Sequence, residues 1–403
     1  SWLIVPYMSL DLFFVAAPFL CGDAAELRAL RRRMTLVIVA AGAVFLLLPL
    51  RFAFPRPHPA DWTAPIFAVL HGFDRPYNLF PSLHIAILTI LAATYRRHSR
   101  GILNVLAQIW FVLIALSAVL TYQHHVVDVA GGFVLALISD YAIPEHEVVV
   151  QRAATPRIGA LYAAGAALLA AAGGWTGWGA APMQFTIHGV EVPVLQFVSA
   201  GLLWAAVALS IVAGAYLRIV PGLTRNHAGR LPASARVLLA PWLAGQHLSR
   251  IHYARQCRPW DEVVPNVWIG RRLSDREAAS AVAQGVRAVL DLSGELSESA
   301  PFLALTYLNL PVLDLTAPTP AQLRTAADFI SAHRRSGIVY VHCKIGYSRS
   351  AAVVGAWLLE SGLAATPEDA VARMRAVRPT LVVRSEAWRA LSATMLRLAP
   401  ARS

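Results

Sequence analysis

The spacing of apolar and polar positions changes character along this 403-residue chain. Up to about residue 218, long apolar runs alternate with short polar or basic breaks. Seven runs, 2–20, 34–50, 82–95, 102–120, 126–143, 158–173 and 194–217, read as membrane spans. Several are a little shorter than the ~20 apolar residues with which a helix crosses a bilayer, so their edges are set only to within about a turn. The run 63–70 is too short to span and reads as a surface or re-entrant helix. From Val263 onward the pattern shortens. Runs 266–270, 288–292, 306–311 and 337–341 read as strands, and 277–284, 320–334 and 351–359 as helices. Strands alternating with helices predict an α/β domain. The expected fold class is therefore a multi-domain membrane protein, an all-α transmembrane bundle followed by an α/β domain. The expected boundaries are 1–145 for a first membrane domain, 146–220 for additional transmembrane helices, 221–261 for a basic interfacial linker and 262–403 for a cytoplasmic domain.

Basic residues give the spans an orientation. Arg28, Arg31, Arg32 and Arg33 lie between the first two runs, Arg96, Arg97 and Arg100 between the third and fourth, and Arg152 and Arg157 between the fifth and sixth. Loops rich in arginine stay in the cytoplasm. Loops 51–81, 121–125 and 174–192 then face outward, and the chain returns inside with Arg218, Arg225 and Arg230. The segment 220–260 mixes arginines with Leu238, Leu239, Trp242, Leu243, Leu248 and Ile251. It reads either as an amphipathic helix on the inner leaflet or as a solvated linker. An integral membrane protein of a bacterial inner membrane is expected. The chain begins at Ser1, without Met, and enters an apolar run at once, so it reads as a fragment without a cleavable signal peptide.

Composition refines this picture. Hydrophobic residues make up 57% and charged ones 14%, but the excess sits in the first half. A net charge of +12 admits nucleic acid as a partner. No nucleic-acid motif accompanies it, so cytoplasmic loops against an anionic membrane surface are the expected use of the charge. Cys21, Cys257 and Cys343 are too far apart for a disulfide framework or a metal cluster, and no metal or cofactor is expected.

The sharpest chemical signal is Val341-His342-Cys343-Lys344-Ile345-Gly346-Tyr347-Ser348-Arg349-Ser350, a Cys-x5-Arg loop between a strand-like and a helix-like run. A loop that opens a helix turns backbone N–H groups inward at the positive end of the helix dipole. Such a cradle holds phosphate and lowers the pKa of a thiol inside it. Cys343 can then attack phosphorus as a thiolate while Arg349 grips the equatorial oxygens. Asp314, 29 positions before Cys343 in an expected loop, is the candidate acid for the departing alkoxide. Ser350 can donate to the sulfur, and Lys344 adds charge at the rim. Tyr347 is a candidate for the pocket mouth. Asp291 and Glu295 read as turn residues, and Cys257 has no expected role. A buried structural thiol is the plain alternative for Cys343.

Asp314, His342-Cys343-x5-Arg349-Ser350 and Arg378-Pro379 together resemble the dual-specificity branch of the protein tyrosine phosphatase superfamily over about 262–395. The Cys-Lys-x-Gly-x-Ser-Arg-Ser run is most similar to phosphatases acting on phosphoinositides and phosphatidylglycerophosphate. The resemblance implies a phosphocysteine at Cys343, phosphate binding by Arg349 and acid catalysis by Asp314. It also implies that His342, Lys344, Gly346, Ser348 and Ser350 line or support the phosphate site, with His342 helping to depress the thiol pKa.

The outward loops carry a second set. Pro81-Ser82-Leu83-His84 opens the third span, and Gln123-His124-His125-Val126-Val127-Asp128 opens the fifth. On a helix, His124 and Asp128 would share a face. Two histidines, one backed by a carboxylate and both near arginines, suit phosphoryl transfer. The plain alternative is a set of interfacial anchors. These residues resemble the type-2 phosphatidic acid phosphatase superfamily over about 1–145, and Pro-Ser-Leu-His is similar to its inositol-phosphorylceramide synthase branch. The resemblance implies His124 as nucleophile, Asp128 as its orienting partner, His84 as general acid and Ser82 as a phosphate ligand. Ser117 and Ala118 stand where that superfamily has Ser-Arg, and Arg51 and Arg56 substitute for its first motif. Asp11, inside the first span, is a further candidate that carries no assignment.

The expected function is a bifunctional membrane phosphatase or phosphotransferase, with a histidine site facing outward and a cysteine phosphomonoesterase in the cytoplasm. The expected partners are membrane lipids with phospholipid or phosphoinositide-type headgroups. A membrane-tethered protein phosphatase acting on phosphoproteins and a transporter with decayed motifs are the alternatives.

Overall fold

The computed structural model describes residues 1–54, 60–73, 77–145, 155–179, 184–187, 190–219 and 230–398. The chain divides into two compact units, Ser1–Glu147 and Val148–Ser403.

The first unit consists of α1 (Ile4–Ala16), α2 (Ala24–Leu47), α3 (Ala64–Phe73), α4 (Leu83–His98), α5 (Gly101–Leu120) and α6 (Val126–Ala142). Its core forms around α4, whose Ile85, Ala86, Leu88, Ile90 and Leu91 are buried among Ile4, Val37, Phe111 and Ile114. α6 crosses the start of α4 closely: a Cβ on Gly132 would lie 2.2 Å from the Ser82 carbonyl oxygen. The second expected span starts earlier than its apolar run. The Asp23 carboxylate accepts the N–H groups of Ala25 and Glu26, a side-chain cap that begins the helix at Ala24. The basic stretch is therefore helical, and Arg33 is buried against Asp140 at 2.9 Å, Glu145 at 3.2 Å and the Ile143 carbonyl at 2.8 Å.

The second unit opens with α7 (Pro156–Gly174), a two-stranded antiparallel ribbon of β1 (Gln184–Ile187) and β2 (Val190–Pro193), and α8 (Val194–Tyr216). α7 and α8 run antiparallel through small residues. Gly159 lies against Leu217 and Ala213, and Gly173 against Leu203 and Ser199. The Ser199 hydroxyl donates to the Gly173 carbonyl at 2.7 Å, and such close backbones are how helices associate in lipid. Among the described residues, three helices, Gly101–Leu120, Pro156–Gly177 and Val194–Tyr216, are long and apolar enough to cross a membrane. The other expected spans form helices that are shorter or more charged. α2 carries its arginines, α4 ends in Arg96, Arg97 and His98, and α6 holds Asp128 and Asp140.

α9 (Ala233–Leu238) and α10 (Ala240–Ala254) follow within the described part of 220–260, where an amphipathic helix is one of the two expected readings. Leu238, Leu239 and Trp242 are buried, and Trp242 Nε1 donates to the Tyr162 hydroxyl of α7 at 3.3 Å. The segment packs on the α7–α8 pair and does not lie free.

The α/β domain contains β3 (Trp260–Val264), β4 (Val267–Arg271), α11 (Asp275–Ala283), β5 (Val286–Ser293), α12 (Ala300–Leu303), β6 (Thr306–Val312), α13 (Pro320–His333), β7 (Ile338–Cys343), α14 (Ser348–Glu360), α15 (Pro367–Val377) and α16 (Ser385–Leu398). The five strands are ordered β3-β4-β7-β5-β6, with only β3 antiparallel. β7 is central and apolar on both faces, as a covered parallel strand should be. Leu323, Ile330, Val353, Trp357 and Leu358 pack on one face and Leu273, Ala278, Phe302 and Tyr340 on the other. Trp357 is 1% exposed, and its truncation to Ala should cost ~3–5 kcal/mol. The consequence for chemistry is that the central strand, locked on both sides, delivers Cys343 at its C-terminal end.

Candidate active sites

β7 ends at Cys343 and α14 begins at Ser348, so the intervening loop closes directly on a helix N-terminus. Gly346 makes that turn at φ +76°, and a Cβ there would sit 2.3 Å from the Gly270 carbonyl oxygen. Only glycine meets both demands. The Gly346 N–H points at the Cys343 sulfur from 3.3 Å. Burial by itself would raise the thiol pKa. The Arg349 charge, a Ser350 hydroxyl bond and the N–H groups of Ile345 and Ser350 outweigh it, and the thiol lies below its ordinary value. Ser350 is fully buried, and its side chain is among the groups that lower the thiol pKa.

Asp314 approaches from the turn after β6. Its two carboxylate oxygens meet Arg349 at 3.2 Å and Lys344 at 2.6 Å. Burial would raise its pKa, but Arg349, Lys344 and the Leu315 N–H hold it down at about 2. Arg349 is itself clamped. Glu295 takes it in a bidentate pair at 2.7 and 3.0 Å, and the Val312 carbonyl accepts from it at 2.8 Å. These negative groups push the guanidinium pKa well up despite its burial. A thiol of lowered pKa, a clamped guanidinium and a carboxylate paired to it thus converge at one loop. That set can bind a tetrahedral dianion and transfer its phosphorus to sulfur.

The first unit holds a separate cavity of about 310 Å³, whose lining includes Tyr7, Asp11, Asn78, His84 and His124. His84 stacks flat on Tyr7, with ring centroids 4.1 Å apart. His84 Nε2 and His124 Nδ1 are buried and have no hydrogen-bond partner among the described residues. Two imidazoles with free nitrogens at one cavity are what donor and acceptor roles toward a phosphate ester require.

With both geometries in view, comparison with known proteins is decisive. The model for the dual specificity phosphatase catalytic domain matches residues 267–395, and that for the PAP2 superfamily matches residues 5–142. A human phosphatidylglycerophosphatase and protein-tyrosine phosphatase 1 is 31% identical over 163 residues, 37% of this chain and 80% of the relative. The chain joins a PAP2-superfamily domain to a dual-specificity phosphatase domain. An Arabidopsis thaliana phosphatidylglycerophosphate phosphatase PTPMT1 is 26% identical over 39% of this chain and 48% of its own length. A Schizosaccharomyces pombe tyrosine-protein phosphatase CDC14 homolog is 28% identical over 25% of this chain and 19% of its own length. The chain therefore spans less than half of these last two relatives.

In the phosphatase domain, Cys343, Lys344, Gly346, Arg349, Ser350 and Asp314 come together. Ser348 lies at the start of α14, where its hydroxyl accepts the Arg384 N–H at 3.2 Å. His342 is placed differently from a phosphate ligand. Its side chain is fully buried behind the loop, with Nε2 2.7 Å from Glu298 Oε2 and Nδ1 3.9 Å from Asp291 Oδ1. Alternation along β7 sends it to the face opposite Cys343. Asp291, Glu298 and His342 offer three potential ligand atoms within 4.8 Å. All three are buried and mutually paired, so the cluster is an internal brace behind the loop. Glu295 and Gln246, whose side-chain oxygen accepts from Lys344 at 2.8 Å, join the site without having been expected.

The PAP2 domain brings His84 and His124 together but corrects three other residues. His124 precedes α6 and is not helical. His125 is the N-cap, and Asp128 accepts the His125 N–H at 2.7 Å in a capping box. The Asp128 carboxylate is consequently 3.9 Å from His124 Nδ1, beyond hydrogen-bond reach. Ser82 is fully buried as the N-cap of α4, accepting the Ile85 N–H at 3.3 Å, and is spent on the helix rather than open to a ligand. Arg51 is exposed and lies over the Tyr77 ring, while Arg56 falls outside the described residues. Asp11, unassigned from sequence, lines the histidine cavity.

Proposed function

We propose that this protein is a membrane enzyme with two chemically independent phosphoryl-transfer sites. Its cysteine site removes the phosphate monoester of a membrane lipid. The convergence of Cys343, Arg349 and Asp314 carries this reading, the phosphatidylglycerophosphate named for two Arabidopsis thaliana relatives supports a lipid substrate, and the human relative is named for both a lipid and a protein-tyrosine phosphatase.

The Cys343 thiolate attacks phosphorus, the S–P bond forms and the P–O bond to the lipid breaks. Arg349 holds the equatorial oxygens. The Asp314 carboxyl gives its proton to the leaving oxygen. Arg349 and Lys344 face Asp314 and favour its ionised form. A bound phosphate turns both cations toward itself and adds negative charge, so Asp314 gains its proton with the substrate. In the second step water attacks the phosphocysteine and gives a proton to Asp314. The S–P bond breaks, and the Ser350 hydroxyl steadies the returning thiolate.

The histidine site works on a second phosphate ester. His124 attacks phosphorus, so that a P–N bond forms and the P–O bond to the leaving group breaks while His84 protonates the leaving oxygen; water or an alcohol then attacks phosphorus, gives its proton to His84 and breaks the P–N bond. The Pro-Ser-Leu-His sequence favours an alcohol acceptor. By arginine asymmetry this site faces outward and the cysteine site lies in the cytoplasm at an inner membrane.

The test is phosphate release by the full chain in vesicles carrying phosphatidylglycerophosphate or a phosphoinositide, beside phosphotyrosine and phosphothreonine peptides. Lipid turnover at least ~10-fold above peptide turnover in kcat/KM is expected. Strong peptide turnover with no lipid turnover would establish the protein-phosphatase alternative. For the histidine site, labelled phospholipid is incubated with and without inositol. Formation of a new inositol-containing lipid is expected, and free headgroup alone makes the site a hydrolase.

A further inference from the structure

α8 does not merely tether the phosphatase domain. The Tyr216 hydroxyl, at the last residue of this membrane-type helix, donates to the backbone carbonyl of Asp314 at 2.7 Å. Tyr216 is 1% exposed and stacks on Tyr162 of α7, with centroids 5.5 Å apart and planes 19° from parallel. Tyr162 in turn accepts from Trp242 of α10. A ladder of three aromatic side chains therefore runs from the linker, across both membrane helices, to the backbone of the acid residue. The residue after Asp314 gives a reason for such a hold. Leu315 adopts φ +59°, a conformation sparsely populated by residues other than glycine. Such a turn persists only where its surroundings fix it. The bond from Tyr216 falls on the peptide that joins Asp314 to Leu315. Two further bonds from outside the α/β domain reach the same site. Gln246 of α10 accepts from Lys344, the ion partner of Asp314, and the Leu231 N–H donates to Ser297 at 3.2 Å, in the segment that carries Glu295.

We propose that Tyr216 is a positioning residue of the cysteine site, by which the α7–α8 pair sets the carboxyl of Asp314 over the leaving oxygen. The inference rests on the reading of Asp314 as general acid. It makes the membrane helices a working part of the phosphatase, suited to a substrate that is itself anchored in the membrane.

The leaving group separates positioning from simple support. An alkoxide needs a proton to depart, whereas p-nitrophenolate does not. The full chain in vesicles, wild type or Tyr216→Phe, is therefore assayed on octyl phosphate and on p-nitrophenyl phosphate. Tyr216→Phe keeps the ring and loses one hydrogen bond, so kcat on octyl phosphate should fall about fivefold to tenfold. KM, and kcat on p-nitrophenyl phosphate, should stay within about twofold. Equal loss on both substrates, or no loss on either, overturns the proposal. Asp314→Asn tests the underlying reading separately. If it lowers both substrates equally, Asp314 is not the acid. If it spares p-nitrophenyl phosphate and Tyr216→Phe shows no such split, Asp314 stands and Tyr216 falls. Should Tyr216→Phe not fold, Tyr162→Leu, which removes the ring that supports Tyr216, carries the same test. The same split is expected there, and its absence overturns the proposal.

Discussion

The proposed cysteine and histidine sites are built by opposite means. Around Cys343, positive charge is built into the fold: a helix N-terminus, buried Arg349 and Lys344, countered by Asp314 and Glu295. The cavity of His84 and His124 is lined by Tyr7, Asp11, Asn78 and apolar side chains, and no arginine lines it among the described residues. One site is a charged trap that is neutralised at rest. The other is a largely apolar chamber with two imidazoles. A charged trap suits a phosphomonoester dianion, which carries most of its negative charge to the site. A weakly charged chamber suits a phosphodiester or a headgroup that arrives with its lipid.

Four substitutions sharpen or break this contrast. The largest effect is expected from Arg349→Met, which removes both the phosphate fork and the main stabiliser of the thiolate. kcat/KM should fall ~10³-fold, at the upper end for loss of one such electrostatic group. The sign on the thiol follows from charge. Arg349 favours the anion, so its removal raises the Cys343 pKa, and alkylation by iodoacetamide near pH 7 should slow ~10-fold or more. An unchanged pH profile of alkylation would contradict the charged-trap reading. Next, Asp314→Asn should lower kcat on alkyl phosphates by ~10²-fold, the usual worth of a general acid. Third, Glu295→Gln leaves Arg349 without its bidentate partner. Breaking a buried pair costs ~3–5 kcal/mol, and denaturant unfolding should show a loss of that order, partly recovered by vanadate. No recovery would mean that Glu295 serves the fold and not the resting charge of the site. The smallest effect belongs to Arg51→Ala. This exposed residue lies over Tyr77, so histidine-site activity should change less than about twofold. A large loss would return Arg51 to the phosphate site and erase the contrast.

What was legible in the sequence follows the same division. Cys343 to Arg349 is a local unit, with a strand before it, a helix after it and Gly346 between them. Its chemistry could be read from spacing because the loop closes on itself. Glu295, Gln246 and Tyr216 could not be read that way. Each reaches the site from a different element, and only the packing of β5, α10 and α8 around the loop brings them there. Glu295 showed one signal, a carboxylate just past the end of a buried strand, which is also the mark of an ordinary turn. In the helical unit, periodicity located the helices but misjudged their ends. Asp23 starts α2 early, and His125 takes the N-cap of α6, which leaves His124 off the helix and out of reach of Asp128. Caps depend on one side chain meeting one N–H group, and hydrophobic spacing does not register that. The α/β domain was read more completely, since each of its strands and helices has its own periodicity and short turns.

The independence of the two sites is the centre of this account, and one double comparison tests it most directly. Phosphate release from a lipid phosphomonoester in vesicles is measured for wild type, Cys343→Ser and His124→Ala, each as the full chain. Cys343→Ser should lose ~10³-fold or more, as removal of a covalent nucleophile does. His124→Ala should remain within about twofold of wild type, because its site acts on another ester. A comparable collapse in both variants would contradict the account and join the two sites in one reaction.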